Sequence, residues 1–348
     1  MKKLTVIDKL LYFLNSISLF LLLISYLSPY ISPALFSPTA FVGLIFPILY
    51  MINIVFLIYW LIGFKKPMWA NIIILLIGIE NINSYIGTSP NNNSSNENTK
   101  VLTYNVRLFN KYNWIKQPNI KQEIFNFLKT ENADILCIQE FYNTNEIPNL
   151  NYRYKNIGLK NRKNEWHMAI YSHYIQINNG TIDMEGQHMN KTCIYSDMII
   201  KKDTIRVYNI HLASNWFNSS DYSFIENPKK NTLKEGILGI SKRMKNSYKK
   251  RAKEVEKIKE HMQESPYPLI VCGDFNDTPL SYAYNSIKRN LVDAFKISGK
   301  GIGKSFVKIP ALRIDYILHD TKFKSSNYEQ HNQILSDHYA LSCEISIP

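Results

Sequence analysis

Acidic, amide and histidine side chains stand at the ends of several short apolar segments of this sequence. They are Asn105 in TYNVR, Glu140 in IQE, His211 in YNIHL, Asp274 and Asn276 in GDFND, Asp315 in RIDYI, and Asp337 and His338 in SDH. Loops at strand ends are where a rigid sheet displays reactive groups. Oxygens of Glu, Asp and Asn suit a hard cation such as Mg²⁺, and without a cation clustered carboxylates raise one another's pKa.

Each of these motifs also has an ordinary structural interpretation. Glu140 alone is typical of a surface charge at a strand end, and GDFND alone is typical of a turn, since Gly, Asp and Asn are turn formers. Asp315 alone fits an edge charge, His211 a core histidine, and Ser336-Asp337 a cap. The functional interpretation therefore depends on the ordered set of motifs.

The elements that must position these residues alternate between strand and helix patterns. Short apolar or alternating segments predict strands, and longer periodic segments predict helices. The predicted strands include 101–107, 134–139, 198–200, 204–210, 268–272, 314–318 and 340–347. The predicted helices include 120–128, 279–288 and a basic segment at 232–262, in which we expect a break near Gly236 and Gly239. Many strands with interleaved helices predict an α/β fold of two packed sheets covered by helices.

The ordered set of motifs resembles that of the endonuclease/exonuclease/phosphatase superfamily, the metal-dependent phosphoesterases related to pancreatic deoxyribonuclease, abasic-site endonucleases and neutral sphingomyelinases. The order TYNVR, IQE, AIYS, YNIHL, GDFND, RIDYI, SDH is similar to the family's and covers about residues 100–347. The resemblance implies a four-layer α/β sandwich, in which two packed mixed sheets are covered by helices and the site lies at one end. It also implies a phosphoester hydrolase that uses Mg²⁺ or Mn²⁺.

On the metal side, the resemblance makes Glu140 the principal ligand, with Asn105 beside it and Asp337 binding directly or through water. The sequence departs from some nucleases of the family, which carry Asp where Arg107 stands. One acidic contribution is therefore missing, which argues against a second metal on that side, and Arg107 becomes a candidate contact to the substrate phosphate. Lys304, in the glycine-rich segment GKGIGKS, is the other candidate phosphate contact.

On the catalytic side, the resemblance implies that Asp274 orients or deprotonates the attacking water and that Asn276 holds the scissile phosphate. His338, oriented by Asp315, would contact the phosphate and stabilise charge. His211 would assist at the phosphate or the leaving group. Phosphoryl transfer needs charge neutralisation and in-line positioning, which this set with a metal can supply. Which group is the general base stays open.

The substrate class also stays open. The chain of 348 residues has 41 Lys and Arg against 28 Asp and Glu, so its net charge of +13 suits a polyanionic or anionic-surface partner. Its four Cys form no CxxC motif. The basic segment 242–259 suits nucleic-acid phosphates, lipid headgroups or a solvated helix face. We expect a phosphodiesterase or nuclease. The alternatives are a sphingomyelinase-like enzyme, a phosphatase or a non-catalytic polyanion-binding module, and no obligate protein partner is inferred.

The first part of the chain has the composition of a membrane anchor. Residues 10–64 contain no charged side chain, which accommodates two spans of ~20 apolar residues. A cleaved signal peptide is the alternative, but a second apolar stretch follows at once and no clean cleavage site separates the two. The predicted organisation is a transmembrane anchor at 1–89, with helices at about 10–30, 41–61 and 68–87, a flexible linker at 90–100 and a catalytic domain at 101–348.

Positive charges predict the orientation of this anchor. Lys2, Lys3 and Lys9 precede the first span and Lys65 and Lys66 follow the second, so both groups belong on the cytoplasmic side. The side of the catalytic domain then depends on the third span, in which Glu80 costs roughly 2.5–3.5 kcal/mol if it lies near the centre. We expect a multi-pass protein of the bacterial inner membrane, whose helices contact the lipid bilayer and whose catalytic domain is extracytoplasmic.

Overall fold

The computed structural model describes residues 4–88, 97–142, 149–158, 166–182, 184, 192–215, 221, 224, 233–309 and 311–348. The chain forms two compact units. The first comprises Met1–Ser84, Asn215–Ala252 and Asp277–Asn285, and the second comprises Tyr85–Ser214, Lys253–Asn276 and Ser286–Pro348. The predicted linker at 90–100 lies largely outside the described residues, and the strand after it already begins at Thr99.

The described part of the chain contains fourteen strands. They are β1 (Ile86–Thr88), β2 (Thr99–Asn105), β3 (Ile135–Tyr142), β4 (Tyr154–Ile157), β5 (Trp166–Ser172), β6 (Ile175–Thr181), β7 (Cys193–Ile200), β8 (Asp203–His211), β9 (Leu269–Asp274), β10 (Val292–Asp293), β11 (Lys300–Ile302), β12 (Asp315–His319), β13 (Lys324–Gln330) and β14 (Leu341–Ser346). One six-stranded sheet has the order β13-β14-β2-β3-β5-β4, the other has the order β10-β12-β9-β8-β7-β6, and β1 pairs with β11. The pairs β2–β3 and β8–β9 are parallel, so both larger sheets are mixed.

The helices of the described residues follow the same chain order. They are α1 (Val6–Leu27), α2 (Pro38–Leu44), α3 (Phe46–Ile62), α4 (Met68–Ile77), α5 (Ile79–Ile82), α6 (Ile120–Glu131), α7 (Leu233–Gln263), α8 (Tyr282–Lys288) and α9 (Ala294–Ser298), with a 3-10 turn at Arg107–Asn110. Gly236 and Gly239 do not interrupt α7, so the expected break is absent from this helix.

Apolar side chains that alternate along the strands fill the space between the two large sheets. Val101 and Ile170 from one sheet and Val207 and Ile270 from the other belong to one buried cluster. Ile124 and the apolar stripe around it make α6 part of a second cluster, with side chains of β2 and β3. The expected α/β class, with two packed mixed sheets flanked by helices, is confirmed.

The helices of the first unit bury polar groups and expose apolar ones. The Nδ2 atom of Asn15 on α1 donates to Oδ1 of Asn53 on α3 and Oδ1 of Asn71 on α4, at 3.2 and 3.1 Å. The indole of Trp60 donates to Asn15 Oδ1 at 2.8 Å. Phe20, in contrast, is 63% exposed. This distribution is typical of helices that pack through polar side chains and face lipid.

The helices predicted for the first part of the chain differ in extent from those that the structure shows. α1 is long and apolar enough to cross a membrane, whereas α2 and α3 meet at a bend of 62°. The third predicted helix, residues 68–87, is wrong in extent, because α4 ends at Ile77 and Gly87 lies in β1. Gly78 and the polar residues after it interrupt the apolar run, and Gly is a poor helix former.

Candidate active site

Strand ends of both large sheets bring the expected site residues together. Asn105 at the end of β2 is the register partner of Gln139 on β3 in the first large sheet. In the second sheet, His211 at the end of β8 and Asp315 at the start of β12 are both register partners of Asp274 on β9. Because carboxyl ends of neighbouring parallel strands meet at one sheet edge, the local pairing explains why these residues converge.

Asp274 lies at the centre of the group and is 1% exposed. Its Oδ1 accepts from the backbone N–H of Asn276 at 2.8 Å, and its Oδ2 accepts from Nδ2 of Asn105 and Nδ2 of Asn276, both at 3.1 Å. Burial and the charge of Asp315 raise the pKa of Asp274 to about 7. This carboxyl group can therefore take up or release a proton near neutral pH.

The glycine of GDFND is required by the close approach of two strands. Gly273 has a φ of 137°, and a Cβ atom there would lie 1.9 Å from the carbonyl oxygen of Ile210 on β8. A side chain would push β9 away from β8, and Asp274 would move with it. Asn276 also has a positive φ, of 51°, and its Nδ2 donates to the carbonyl of Leu212 at 3.0 Å.

His338 and Asp315 form a buried hydrogen-bonded pair. Nδ1 of His338 lies 2.9 Å from Oδ2 of Asp315, and Nε2 lies 3.7 Å from Oδ2 of Asp274. Burial by itself lowers the pKa of His338, but the charges of Asp315 and Asp274 outweigh burial and raise that pKa to about 10. The imidazole is therefore cationic at neutral pH and is suited to stabilise negative charge on a phosphate.

Glu140 reaches the site through an irregularity in β3. The pairing register of β3 with β5 shifts between Ile138 and Phe141, and Glu140 has a φ of 47°. A bulge of this kind re-aims a side chain, and such strain is typical of functional positions. Oε1 of Glu140 lies 3.5 Å from Nδ2 of Asn105 and 3.7 Å from Nε2 of His211. Burial and the charge of Asp337 raise the pKa of Glu140 to about 7.

Asn105 and Arg107 contact acidic side chains at this end of the sheets. The amide nitrogen of Asn105 faces Glu140 and Asp274, while its Oδ1 accepts from the N–H of Arg107 at 3.1 Å. Asn105 therefore acts here as a donor to carboxylates, and metal ligation by its oxygen requires the amide to turn. Nη1 of Arg107 lies 3.2 Å from Oδ2 of Asp337, and the guanidinium stacks on Trp114 at 4.3 Å from the ring centroid.

The structure places Lys304 against an aromatic ring. Its Nζ lies over the ring of Tyr339, 4.9 Å from the centroid. The next residue, Ser305, accepts hydrogen bonds from the N–H groups of Ile314 and Asp315 at 2.8 and 2.9 Å. Lys304 is thus next to the segment that holds Asp315, but the described contacts do not join it to the carboxylates.

Two groups of side chains could hold one divalent cation, and the first lies on the Glu140 side. Burial and the charge of Asp337 raise the pKa of Glu140, and a cation beside these carboxylates would offset that repulsion. A second group of ligand atoms, from Asp274, Asp315 and His338, lies within 4.8 Å. That group is the poorer metal site, because Nδ1 of His338 is bonded to Asp315 and the ring is cationic.

Sequence reasoning missed the buried amides behind the site. Asn209 on β8 donates through Nδ2 to the carbonyls of Ile138 and Ala169, at 2.9 and 3.0 Å, and its Oδ1 accepts from Nε2 of Gln139 at 2.6 Å. It thus joins the two sheets directly behind the β3 irregularity that carries Glu140. The sequence signal that could have revealed this role is Asn209 itself, a polar residue in the apolar strand segment YNIHL, two residues before His211.

Two family models match the chain. A domain of unknown function (DUF8431) matches residues 8–85, and the endonuclease/exonuclease/phosphatase family matches residues 244–338. None of the curated proteins matches.

Solved structures share the fold at low sequence identity. The catalytic domain of human Nocturnin with bound sulfate is 15% identical, with a TM-score of 0.52 over 76% of this chain and 97% of that one. A family protein from Bacteroides thetaiotaomicron is 16% identical, with a TM-score of 0.51 over 71% and 97%. D. rerio TDP2 complexed with a single-strand DNA product is 12% identical, with a TM-score of 0.51 over 72% and 99%.

Proposed function

We propose that this chain, whose residues 244–338 match the endonuclease/exonuclease/phosphatase family and whose α/β part shares the fold of that family's solved structures, is a membrane-anchored, Mg²⁺-dependent phosphodiesterase acting on nucleic acid. The observation that carries the proposal is the convergence of Glu140, Asp274 and the Asp315–His338 pair from strand ends of two sheets. Carboxylates and an imidazolium at one edge are the parts that phosphoester hydrolysis needs.

The residues divide the work between the metal, the water and the phosphate. Glu140 and Asp337 would hold the cation, with Asn105 beside them, and the cation would supply charge neutralisation at the phosphate. Asp274 orients the attacking water and accepts its proton, for which its pKa of about 7 is suited. The new oxygen–phosphorus bond forms as the bond to the leaving oxygen breaks.

The remaining groups bind the phosphate. His338, cationic and held by Asp315, stabilises charge on the phosphoryl oxygens, and Asn276 presents its amide beside Asp274. His211 stands 3.7 Å from both Glu140 and Asp274, where it assists at the phosphate or the leaving oxygen. Arg107, stacked on Trp114, is positioned to contact a neighbouring phosphate of a polymer.

Nucleic acid is the favoured substrate on two grounds. The net charge of +13 suits a polyanion, and the fold neighbour D. rerio TDP2 was solved with a single-strand DNA product. A phospholipid headgroup is the second candidate, because the apolar helices would hold the enzyme beside lipid.

Membrane anchoring is supported by how the helices of the first unit pack. Hydroxyls of Tyr26, near the end of α1, and Tyr50, near the start of α3, donate to carbonyls of Ile74 and Leu75 near the end of α4. α1, α3 and α4 therefore run up, down and up, and Lys65 lies at the other end, paired with Asp8. With positive charges inside, the chain leaves the helices on the extracytoplasmic side of a bacterial inner membrane.

Two features favour retention of α1 over its removal as a signal sequence. Asn15 is the centre of the polar contacts that join α1, α3 and α4, and Asp8 is the partner of Lys65. Cleavage would leave the buried Asn53 and Asn71 and the partly exposed Lys65 without these partners, which is costly in an apolar environment.

A substrate screen of the full-length protein in lipid nanodiscs tests the proposed function. Single-stranded DNA, RNA, sphingomyelin and a simple phosphomonoester are each offered with Mg²⁺, with His338→Ala as the matched inactive variant. We expect hydrolysis of a nucleic acid by the native protein alone. If only sphingomyelin or only the phosphomonoester is cleaved, the proposed nucleic-acid substrate is wrong. Equal hydrolysis by the His338→Ala variant would contradict the proposed active site.

A further inference from the structure

α7 carries an apolar stripe that extends beyond the helix covering it. In residues 233–252, apolar side chains recur at positions 233, 237, 240, 244 and 248, which is the spacing of one helical face. Met244 and Tyr248 are buried together with Ala40 of α2, and the rings of Tyr248 and Phe41 meet edge to face at 5.2 Å. Toward the start of the helix, Leu233 and Ile237 remain 43% and 50% exposed.

Outside the stripe, most charged side chains of this helical segment are basic, although Leu238 is also 60% exposed there. Exposed lysines flank or oppose the stripe. Arg243 pairs with Asp221, and Arg251 pairs with Asp277. The exposed lysines are Lys234, Lys242, Lys245, Lys249 and Lys250. The exposed acidic residue of this segment is Glu235, so basic side chains outnumber acidic ones. An apolar stripe bordered by lysines is typical of a helix that lies in a lipid–water interface.

The stripe belongs to the same compact unit as the apolar helices and is joined to them by its packing on α2. α2 joins α3 at a 62° bend, and the turn before α2 exposes Leu35 at 88% and Phe36 at 55%. The paired Lys65 and Asp8 mark the opposite end of these helices. The packed part of the stripe therefore lies at the end of the proposed spans where they meet one surface of the bilayer, and the exposed part continues from it along α7.

From this continuity and charge we propose that residues 233–252 form an interfacial helix that docks on an anionic bilayer surface. Leu233 and Ile237 lie at the level of the upper acyl chains, and the lysines lie among lipid phosphates. The inference rests on the membrane anchoring of the proposed function and adds a second lipid contact, made by a segment remote in sequence from the spans. The exposed apolar residues and the lysines of this helix take no part in the proposed catalytic site.

Site-directed fluorescence measures this contact in the full chain. The four native cysteines are buried, so Ile237→Cys can be labelled selectively with an environment-sensitive dye, with Lys242→Cys on the polar side as the matched control. The protein is reconstituted in vesicles of zwitterionic lipid with and without anionic phosphatidylglycerol. Leu233→Cys is a second reporter in case the first variant folds poorly.

We expect the label at 237 to shift to the blue in anionic vesicles and to be quenched by brominated acyl chains, and the label at 242 to be quenched by aqueous iodide. High salt, or glutamine at Lys242, Lys245 and Lys249, should reduce the shift at 237. If the labels at positions 237 and 233 show water-like emission in vesicles that retain the protein, the interfacial helix is refuted while the membrane anchoring stands. Loss of the protein from floated vesicles would overturn the anchoring on which it rests. A blue shift that depends on protein concentration in detergent would indicate a second copy as the occupant and overturn it too.

Discussion

At the scale of single residues, the strongest feature is a histidine made cationic by two carboxyl groups. The 2.9 Å contact with Asp315 fixes the ring of His338, and Nε2 is left facing Asp274. Asp315 therefore acts through His338, as a positioning residue, and this arrangement determines how substitutions of the two combine.

We expect His338→Ala to lower kcat by about 10²–10⁴-fold, the range for loss of one acid–base or charge-stabilising group. Asp315→Asn should cost less, because the ring can remain in place. The double variant should be little worse than His338→Ala, since residues that act as a unit are not additive. Steady-state kinetics of the three variants measure this. Losses that multiply would show that Asp315 does not act through His338.

A second prediction concerns Glu140 and protons. The pKa of Glu140 is raised to about 7. Below pH 7 a cation must therefore displace a proton from Glu140 in order to bind, whereas above pH 7 the carboxylate is already deprotonated. The affinity for Mg²⁺ should therefore fall as pH falls from 8 to 6. Titration calorimetry of the native protein and of Glu140→Gln, which has no such proton, measures the difference. Equal pH dependence in both would assign the proton to another group.

The sequence makes these candidate residues visible, because carboxylates, amides and histidines that follow predicted strands form recognisable motifs. It did not predict their orientation. The amide of Asn105 turns its nitrogen toward Glu140 and Asp274, and Lys304 lies over Tyr339. Side-chain direction depends on neighbours that are distant in the sequence, which no local pattern contains.

At the scale of elements, the site depends on an irregular strand supported from the opposite sheet. Asn209 binds the backbone where the bulge begins, through Ile138 on β3 and its register partner Ala169 on β5, and also the side chain of Gln139. Its removal takes a donor from two buried carbonyls, which costs about 1–3 kcal/mol for each group left unsatisfied, whereas the Gln139 amide keeps Thr103 as an acceptor.

We expect Asn209→Leu both to lower stability and to weaken Mg²⁺ binding, because Glu140 loses its support. Asn156 is a matched control, since its Nδ2 also crosses between the sheets, to the carbonyl of Tyr195 at 2.9 Å. Asn156→Leu should lower stability but leave Mg²⁺ affinity unchanged. Denaturant unfolding and calorimetry measure the two quantities. Unchanged Mg²⁺ affinity in a folded Asn209→Leu protein would refute the positioning role.

Elements with strong periodicity were predicted more accurately than irregular ones. The stripe at 120–128 became α6, and the apolar run at 268–272 became most of β9. α7 continues through Gly236 and Gly239, although each costs up to about 1 kcal/mol in a helix interior. Packing of Met244 and Tyr248 on α2 helps to offset that cost, and such tertiary contacts are not readable from composition.

At the scale of the whole molecule, the side of the membrane on which the proposed topology places the catalytic domain depends on the short helix α4. Its 10 residues span only about 15 Å, and α5 continues it after Gly78. The polar contact of Asn71 with Asn15 and the hydroxyl contacts of Tyr26 and Tyr50 nevertheless hold α4 alongside α1 and α3.

We expect a topology reporter fused after Thr88 to give an exported signature. Replacing Lys65 and Lys66 with glutamine should make the orientation less uniform, because the cytoplasmic charge that follows α3 is removed. Replacing Lys121 and Lys129 on α6, in the full chain, is a control that should leave orientation unchanged. A cytoplasmic signature for the fusion would place the catalytic domain inside the cell.

The most direct test of the account is metal-dependent hydrolysis by the full-length protein in nanodiscs. Cleavage of the nucleic acid identified by the screen is followed with Mg²⁺, after chelation, and after Mg²⁺ is restored, for the native protein and for Glu140→Gln. The account predicts activity that chelation abolishes and Mg²⁺ restores in the native protein, with a large loss in the variant. Full activity in excess chelator would contradict it.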